Sequence, residues 1–171
     1  NAVVGTSHTN MGIENALKEN GIELYRTDIG DKYVLAKLVE KELSLGGEQS
    51  GHIILKDIAT TGDGILSAIA VANMIIEENK TFSEIIDVEL YPQTNINVMV
   101  NDKFKIMNNQ DVVLSVSKYN SELNGKGRLM LRASGTEPKI RIMVESMCKE
   151  TNDRIANELV ELIEKVNKET A

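Results

Sequence analysis

The order of apolar stretches predicts an α/β domain, three-layered around a mostly parallel sheet, followed by a small α+β domain. Three observations carry this. Residues 3–90 alternate short apolar runs with segments of helical period, the βαβαβα order of a parallel sheet. Tyr91-Pro92-Gln93, holding one of only two prolines, then breaks the pattern. Residues 94–171 follow a βαββα order with few crossovers, which suits an antiparallel sheet packed by two helices.

Val3 to Thr6 is a short apolar strand. Asn10 to Asn20 is a helix, with Asn10 as its N-cap, Ile13, Ala16 and Leu17 on one face, and Gly21 as its stop. Ile22 to Arg26 alternates as a strand does. Asp31 to Glu42 is a second helix, with Val34, Leu35, Leu38 and Val39 expected inside. A glycine-rich segment, Gly46 to His52, leads into the strand Ile53 to Leu55. The third helix, Asp63 to Glu78, is apolar on nearly every side, so it is expected to be sandwiched within the protein.

Beyond the boundary, Asn95 to Val100 has the period of a half-buried strand. Asp111 to Leu123 is rich in Val and Ser, which favours a strand. Its Val112, Val113, Val116, Tyr119 and Leu123 nevertheless recur at helical spacing, and the spacing predicts a helix. Gly125-Lys126-Gly127 is a turn. Arg128 to Arg132 and Lys139 to Glu145 are strands around a polar loop. Asn152 to Lys168 is an amphipathic helix that buries Ile155, Leu159, Leu162, Ile163 and Val166. The abrupt start within a strand reads as a fragment of a longer protein; Asn1-Ala2 reads equally as a tag scar or as native sequence.

Apolar residues make up 42% of the chain and charged residues 26%, the balance of a globular protein. Aromatics are 4% and tryptophan is absent, so the core must be aliphatic. A net charge of −7 repels phosphate backbones and argues against nucleic-acid or anionic-membrane binding. The longest apolar run, Ile65 to Ile76, is too short to span a bilayer. Cys148 is the only cysteine, which excludes an internal disulfide and fits a reducing, cytoplasmic setting.

Two segments carry chemistry. In Gly47-Glu48-Gln49-Ser50-Gly51-His52, residues two apart share a face of an extended chain. Glu48, Ser50 and His52 then offer a carboxylate, a hydroxyl and an imidazole on one side, a set that suits sugar hydroxyls or an amine. Gly46, Gly47 and Gly51 allow a close backbone approach or a positive φ. Spacing alone favours the plainer reading, a glycine-rich turn with a hydrogen-bonded histidine.

The second segment is Arg132-Ala133-Ser134-Gly135-Thr136-Glu137-Pro138, with Arg141 three residues on. From Lys126 to Arg141 there are five cations, Lys126, Arg128, Arg132, Lys139 and Arg141, against the single acid Glu137. Ser134, Gly135 and Thr136 supply hydroxyls and successive N–H groups, the parts of an anion nest. Arg132 and Arg141 can add forked, charge-assisted bonds to phosphate oxygens. The alternative is a solvated hairpin turn; the local basic charge on an acidic chain favours an anion site.

Three other features carry less. Gly62-Asp63-Gly64 has one carboxylate, so Asp63 reads as a helix N-cap and no metal site is expected. His8, between Ser7 and Thr9, reads as a loop residue without an acid partner. Cys148 reads as an inert core thiol.

Together the two loops resemble those of the α-D-phosphohexomutase superfamily, whose members read a sugar with a GE-x-SG loop and hold phosphate with an R-x-S-G-T-x-P loop. The wording of Gly47 to His52, followed by Thr60-Thr61-Gly62-Asp63-Gly64, is most like the bacterial branch that interconverts glucosamine 6-phosphate and glucosamine 1-phosphate. The likeness extends to Val3-Val4-Gly5-Thr6 and Arg26-Thr27-Asp28-Ile29-Gly30-Asp31. It implies part of that family's third domain over residues 3–90, and over 94–171 its C-terminal domain, with a TATA-box-binding-protein-like fold.

The resemblance implies a phosphoserine nucleophile, a bisphosphate intermediate and a Mg²⁺ ion, all on N-terminal domains absent from these residues. No catalytic residue and no metal ligand is then expected here. Glu48 and Ser50, with His52 beside them, would hold sugar hydroxyls. Arg132, Ser134, Gly135 and Thr136, with Arg141, would hold the unreacting phosphate. The implied partners are a phosphorylated hexosamine and the N-terminal domains of the same protein. A mutase acting on mannose or glucose phosphates is the near alternative, and a free-standing phosphosugar-binding module the distant one.

Overall fold

In the computed structural model, which describes residues 1–169, the chain forms two compact units, one of residues 1–90 and one from Tyr91 onward. The first contains β1 (Ala2–Thr6), α1 (Met11–Glu19), β2 (Glu23–Thr27), α2 (Asp31–Glu40), β3 (Leu45–Gly47), β4 (Ile53–Leu55), α3 (Gly64–Glu78) and α4 (Phe82–Ile85). Its sheet runs β2-β1-β3-β4. The β1–β2 and β1–β3 pairs are parallel, and β4 returns antiparallel to β3. The chain steps from β1 to β2 and back across to β3. Right-handed crossovers in opposite directions place α1 and α2 on opposite faces.

The α2 side is closed by Val4, Val34, Leu38 and Ile54. Gly46 makes that closure possible, because a Cβ there would lie 2.6 Å from Val34 Cγ1. Val39, expected inside, is 61% exposed: it lies one residue beyond Leu38 and turns off the buried stripe. On the opposite face an apolar groove of about 360 Å³ stays open, lined by Val3, Ile13, Leu17, Leu45, Ile53 and Leu90. The α3 helix also departs from expectation. None of its residues is buried, and Ile65, Ile69 and Ile76 are largely exposed, because its main contact in the unit is with the short strand β4. Its start does follow the sequence, with Asp63 Oδ1 accepting from the N–H groups of Ile65 and Leu66.

The second unit contains β5 (Gln93–Met99), α5 (Lys103–Met107), α6 (Gln110–Leu123), β6 (Gly127–Ala133), β7 (Lys139–Ser146) and α7 (Lys149–Glu169). The antiparallel sheet has the order β5-β7-β6. Apart from Tyr119 its core is aliphatic, with Ile140, Ile142 and Val144 of β7 packed against Ile106, Val112, Ile155, Leu159 and Ile163 of the helices. The α6 segment is helical, as its spacing requires. Val112, Tyr119 and Leu123 are buried, while Val113, off that stripe, is exposed. The short helices α4 and α5 have too few residues for a periodic signal and were not anticipated from the sequence.

Cys148 is exposed, contrary to expectation. The strand ends at Ser146, whose hydroxyl donates to Asn152 Oδ1 at 2.5 Å, and the chain turns outward before the thiol. Buried Asn152 also donates to the carbonyl of Pro92 at 2.8 Å, tying the start of α7 to the entry of β5. Among the described residues no helix is long and apolar enough to cross a membrane.

Tyr119 of α6 donates its hydroxyl to Glu158 of α7. Burial, reinforced by this acceptor, pushes the phenol up to about 12, while the tyrosine hydrogen bond and then Arg154 hold Glu158 below the usual carboxylate range. A folded-state value raised above the unfolded one, about 10, stabilises the fold fully below pH about 10, and the contribution is lost as pH rises through about 12. Urea unfolding of the parent chain should therefore lose stability across that window. In Tyr119→Phe the decline should flatten; an unchanged slope would remove Tyr119 as its source.

Candidate functional site

The glycine-rich segment is the turn of the β3–β4 hairpin, the plainer of the two sequence readings, and not an extended chain with alternating faces. Glu48 N–H donates to His52 O at 2.9 Å and Gly51 N–H to Glu48 O at 3.0 Å, with Gly51 at φ +94°. The three side chains still meet. Ser50 Oγ lies 3.2 Å from His52 Nδ1, and Glu48 Oε2 lies 3.4 Å from the same nitrogen. Both contacts fall on the same ring nitrogen, so Glu48 and Ser50 share one face of the imidazole edge. Because both partners use Nδ1, this is no serine–histidine–acid relay, which needs both ring nitrogens.

Glu48 is the fixed member. Its side chain is only 8% exposed, against 61% for His52. Its Oε1 accepts from the Gly30 N–H at 2.9 Å, a link across 18 residues to the residue preceding α2. Sequence reasoning missed this role of Gly30; the one signal was a glycine directly before a helix. Its φ is +132°, a conformation that side chains disfavour. The neighbouring features are structural. Asp63 caps α3, and His8 lies half-buried in the turn after β1, where its N–H donates to Thr6 Oγ1 at 3.2 Å.

The second loop joins β6 to β7. Ser134 is buried, its N–H donating to Lys139 O at 2.9 Å and its Oγ accepting from Glu137 N–H at 3.3 Å. Gly135 and Thr136 are exposed, and among the described residues their N–H groups have no acceptor. The strand register sets Arg132 directly opposite Arg141. Like charges so placed repel, an arrangement that an anion between them relieves.

The five cations of this stretch do not act together. Arg128 lies at the far end of β6, paired with buried Glu145 at 2.5 Å. Lys139 holds Glu137 at 2.7 Å, and Arg141 lies 3.7 Å from the same carboxylate. The Lys139 hydrogen bond, with charge from Lys139 and Arg141, keeps Glu137 below the usual carboxylate range. Arg132 is exposed and has no partner among the described residues. One further cation reaches the loop unforeseen, Lys103 of α5, whose Nζ donates to Ser134 O at 2.6 Å. Among the described residues no group of three or more His, Cys, Asp or Glu side chains is placed to hold a metal ion.

Comparison with known proteins decides the family. Residues 1–91 match the model of the phosphoglucomutase/phosphomannomutase alpha/beta/alpha domain III, and residues 96–162 match that of the phosphoglucomutase/phosphomannomutase C-terminal domain. The chain belongs to the phosphoglucomutase/phosphomannomutase family. A curated member of this family, the phosphoglucosamine mutase of Staphylococcus saprophyticus, is 41% identical over 165 residues, which is 96% of this chain and 37% of that protein. The chain thus spans little more than a third of the length of the relatives it matches.

Solved structures of the family agree on the fold. The N-acetylphosphoglucosamine mutase of Aspergillus fumigatus superposes with a TM-score of 0.83 at 18% identity, over 97% of this chain and 38% of that one. The same fungal enzyme, in complex with GlcNAc-6P and magnesium, gives a TM-score of 0.75 at 18% identity, over 94% and 40%.

Gly30→Ala should destabilise the first unit by about 1–3 kcal/mol, since a side chain is strained at that φ. Urea unfolding measures it. An undiminished midpoint would show that the residue is not held in this conformation.

Proposed function

We propose that this chain carries the sugar- and phosphate-recognition loops of a phosphoglucosamine mutase, which interconverts glucosamine 6-phosphate and glucosamine 1-phosphate. The observation that carries the phosphate half is the pair Arg132 and Arg141, facing each other across β6 and β7 beside two unspent backbone N–H groups. An acidic chain has little reason to hold two guanidinium groups together unless an anion lies between them. The glucosamine half rests on the 41% identity to a phosphoglucosamine mutase, over 96% of the chain.

Each loop has its own part. Buried Glu48 accepts from sugar hydroxyls or an amine, and Ser50 and His52 turn toward the same ligand. Arg132 and Arg141 grip phosphate oxygens with forked bonds, and Ser134, Gly135 and Thr136 donate to the remaining ones. The phosphate held here does not react; fixing it positions the other end of the sugar for transfer. In this reading a phosphoserine gives up its phosphoryl group, a bisphosphate forms and reorients, and the serine recovers a phosphoryl group. That serine, and the carboxylates for magnesium, belong to N-terminal domains that these residues do not include. When bound, magnesium neutralises charge on the transferring phosphoryl group. A cytoplasmic setting belongs to the same reading, and the single cysteine, Cys148, fits a reducing compartment.

Amide NMR titration of the chain with glucosamine 6-phosphate tests both loops. Shifts are expected at residues 48–52 and at 134–136, with weaker response to mannose 6-phosphate. In Arg132→Ala the phosphate affinity should fall about tenfold, the loss of one charge-assisted hydrogen bond. Equal affinity in the variant would remove Arg132 from the grip, and a preference for mannose 6-phosphate would move the chain to the phosphomannomutase branch. The chain alone should show no mutase turnover; turnover without added domains would overturn the division of labour.

A further inference from the structure

We infer that Lys103 is a positioning residue of the phosphate loop, aiming the Gly135 N–H through its hold on the Ser134 carbonyl. The inference rests on the reading of that loop as a phosphate grip.

Lys103 is the first residue of α5, and Asp102 caps the helix by accepting from the N–H groups of Phe104 and Lys105 at 2.9 and 3.0 Å. From that anchored start the half-buried side chain crosses 31 residues of sequence to Ser134 O at 2.6 Å. The loop does not need this bond to close. Ser134 N–H to Lys139 O, Lys139 N–H to Glu137 O and Glu137 N–H to Ser134 Oγ already close it. What the ammonium adds is direction.

A trans peptide is planar, so the Ser134 carbonyl and the following Gly135 N–H point in opposite directions. Fixing the carbonyl on Lys103 fixes the N–H away from it. Glycine in an exposed loop would otherwise let that peptide rotate. The ammonium also polarises the peptide it holds, and a hydrogen bond to the carbonyl makes the N–H on the same unit a stronger donor. That N–H has no acceptor within the described residues. Lys103 therefore acts on the anion from behind, through the backbone, without touching it.

The test is amide NMR of the 171-residue chain titrated with inorganic phosphate at constant ionic strength. In the parent, amides 134–136 should respond. Lys103→Met should move the Gly135 amide before any phosphate is added, leave the amides of β5 and α7 in place, and weaken phosphate binding roughly five- to tenfold. Lys103→Arg, which can still donate to the carbonyl, should restore most of the affinity. If Lys103→Met does not fold, Lys103→Ala is scored in the same way. Parent-like phosphate affinity in the folded Met or Ala variant would overturn the role of Lys103 and leave the grip standing. A parent chain whose loop amides ignore phosphate would overturn the grip, and this role with it.

Discussion

The pairing of β6 with β7 decides where every charge of the phosphate loop falls. Side chains alternate between faces with a period of two, so a slip of one residue would turn the whole set over. Arg128, Met130 and Arg132 share a face, and opposite them stand Glu145, Met143 and Arg141. At one end the pair is complementary. Glu145 is fully buried, and it takes hydrogen bonds from Arg128 at 2.5 Å and from Gln93 at 3.0 Å. Stranding that carboxylate without its arginine would be costly, so the buried pair locks the register. At the other end the same register forces two arginines together. The attraction at Glu145 holds in place the repulsion at Arg132.

The sugar loop solves the opposite problem, holding an acceptor still on a short hairpin. Three-residue strands give little rigidity of their own. The Gly30 N–H supplies what the strands lack, anchoring Glu48 to the start of α2, the helix whose Val34 and Leu38 are fully buried. Glu48 is therefore rigid where Ser50 and His52 are exposed. On the proposed reading, a fixed acceptor beside two exposed polar groups would suit a sugar ring bound in two orientations.

Much of this was legible in the sequence, and the failures have physical causes. Helix periods in α6 and α7 and the caps at Asn10 and Asp63 are local signals, and each has its counterpart in the structure. Both loops could be singled out because composition departs from the chain's average there. What could not be read was which distant groups reach into them. Glu48, Ser50 and His52 converge through a turn, not through strand alternation. Gly30 and Lys103 act across 18 and 31 residues on partners with no complementary pattern, so spacing carries no trace of them. The α3 helix failed for another reason. An all-round apolar helix predicts cover, but sequence does not say which surface supplies it, and within its own unit little does.

Glu137 bears on how the phosphate loop can be both basic and stable without a ligand. A loop with three unopposed cations would repel itself open. Glu137 takes Lys139 fully and Arg141 only at 3.7 Å, so part of the charge is neutralised and part is left. Its depressed pKa means that it stays ionised well below neutral pH, and the partition persists. On the proposed reading, a phosphate would meet Arg132 unpaired and need only draw Arg141 from a loose, exposed contact, which in water is worth little. The acid within the basic loop thus neutralises part of its charge and leaves Arg132 unopposed.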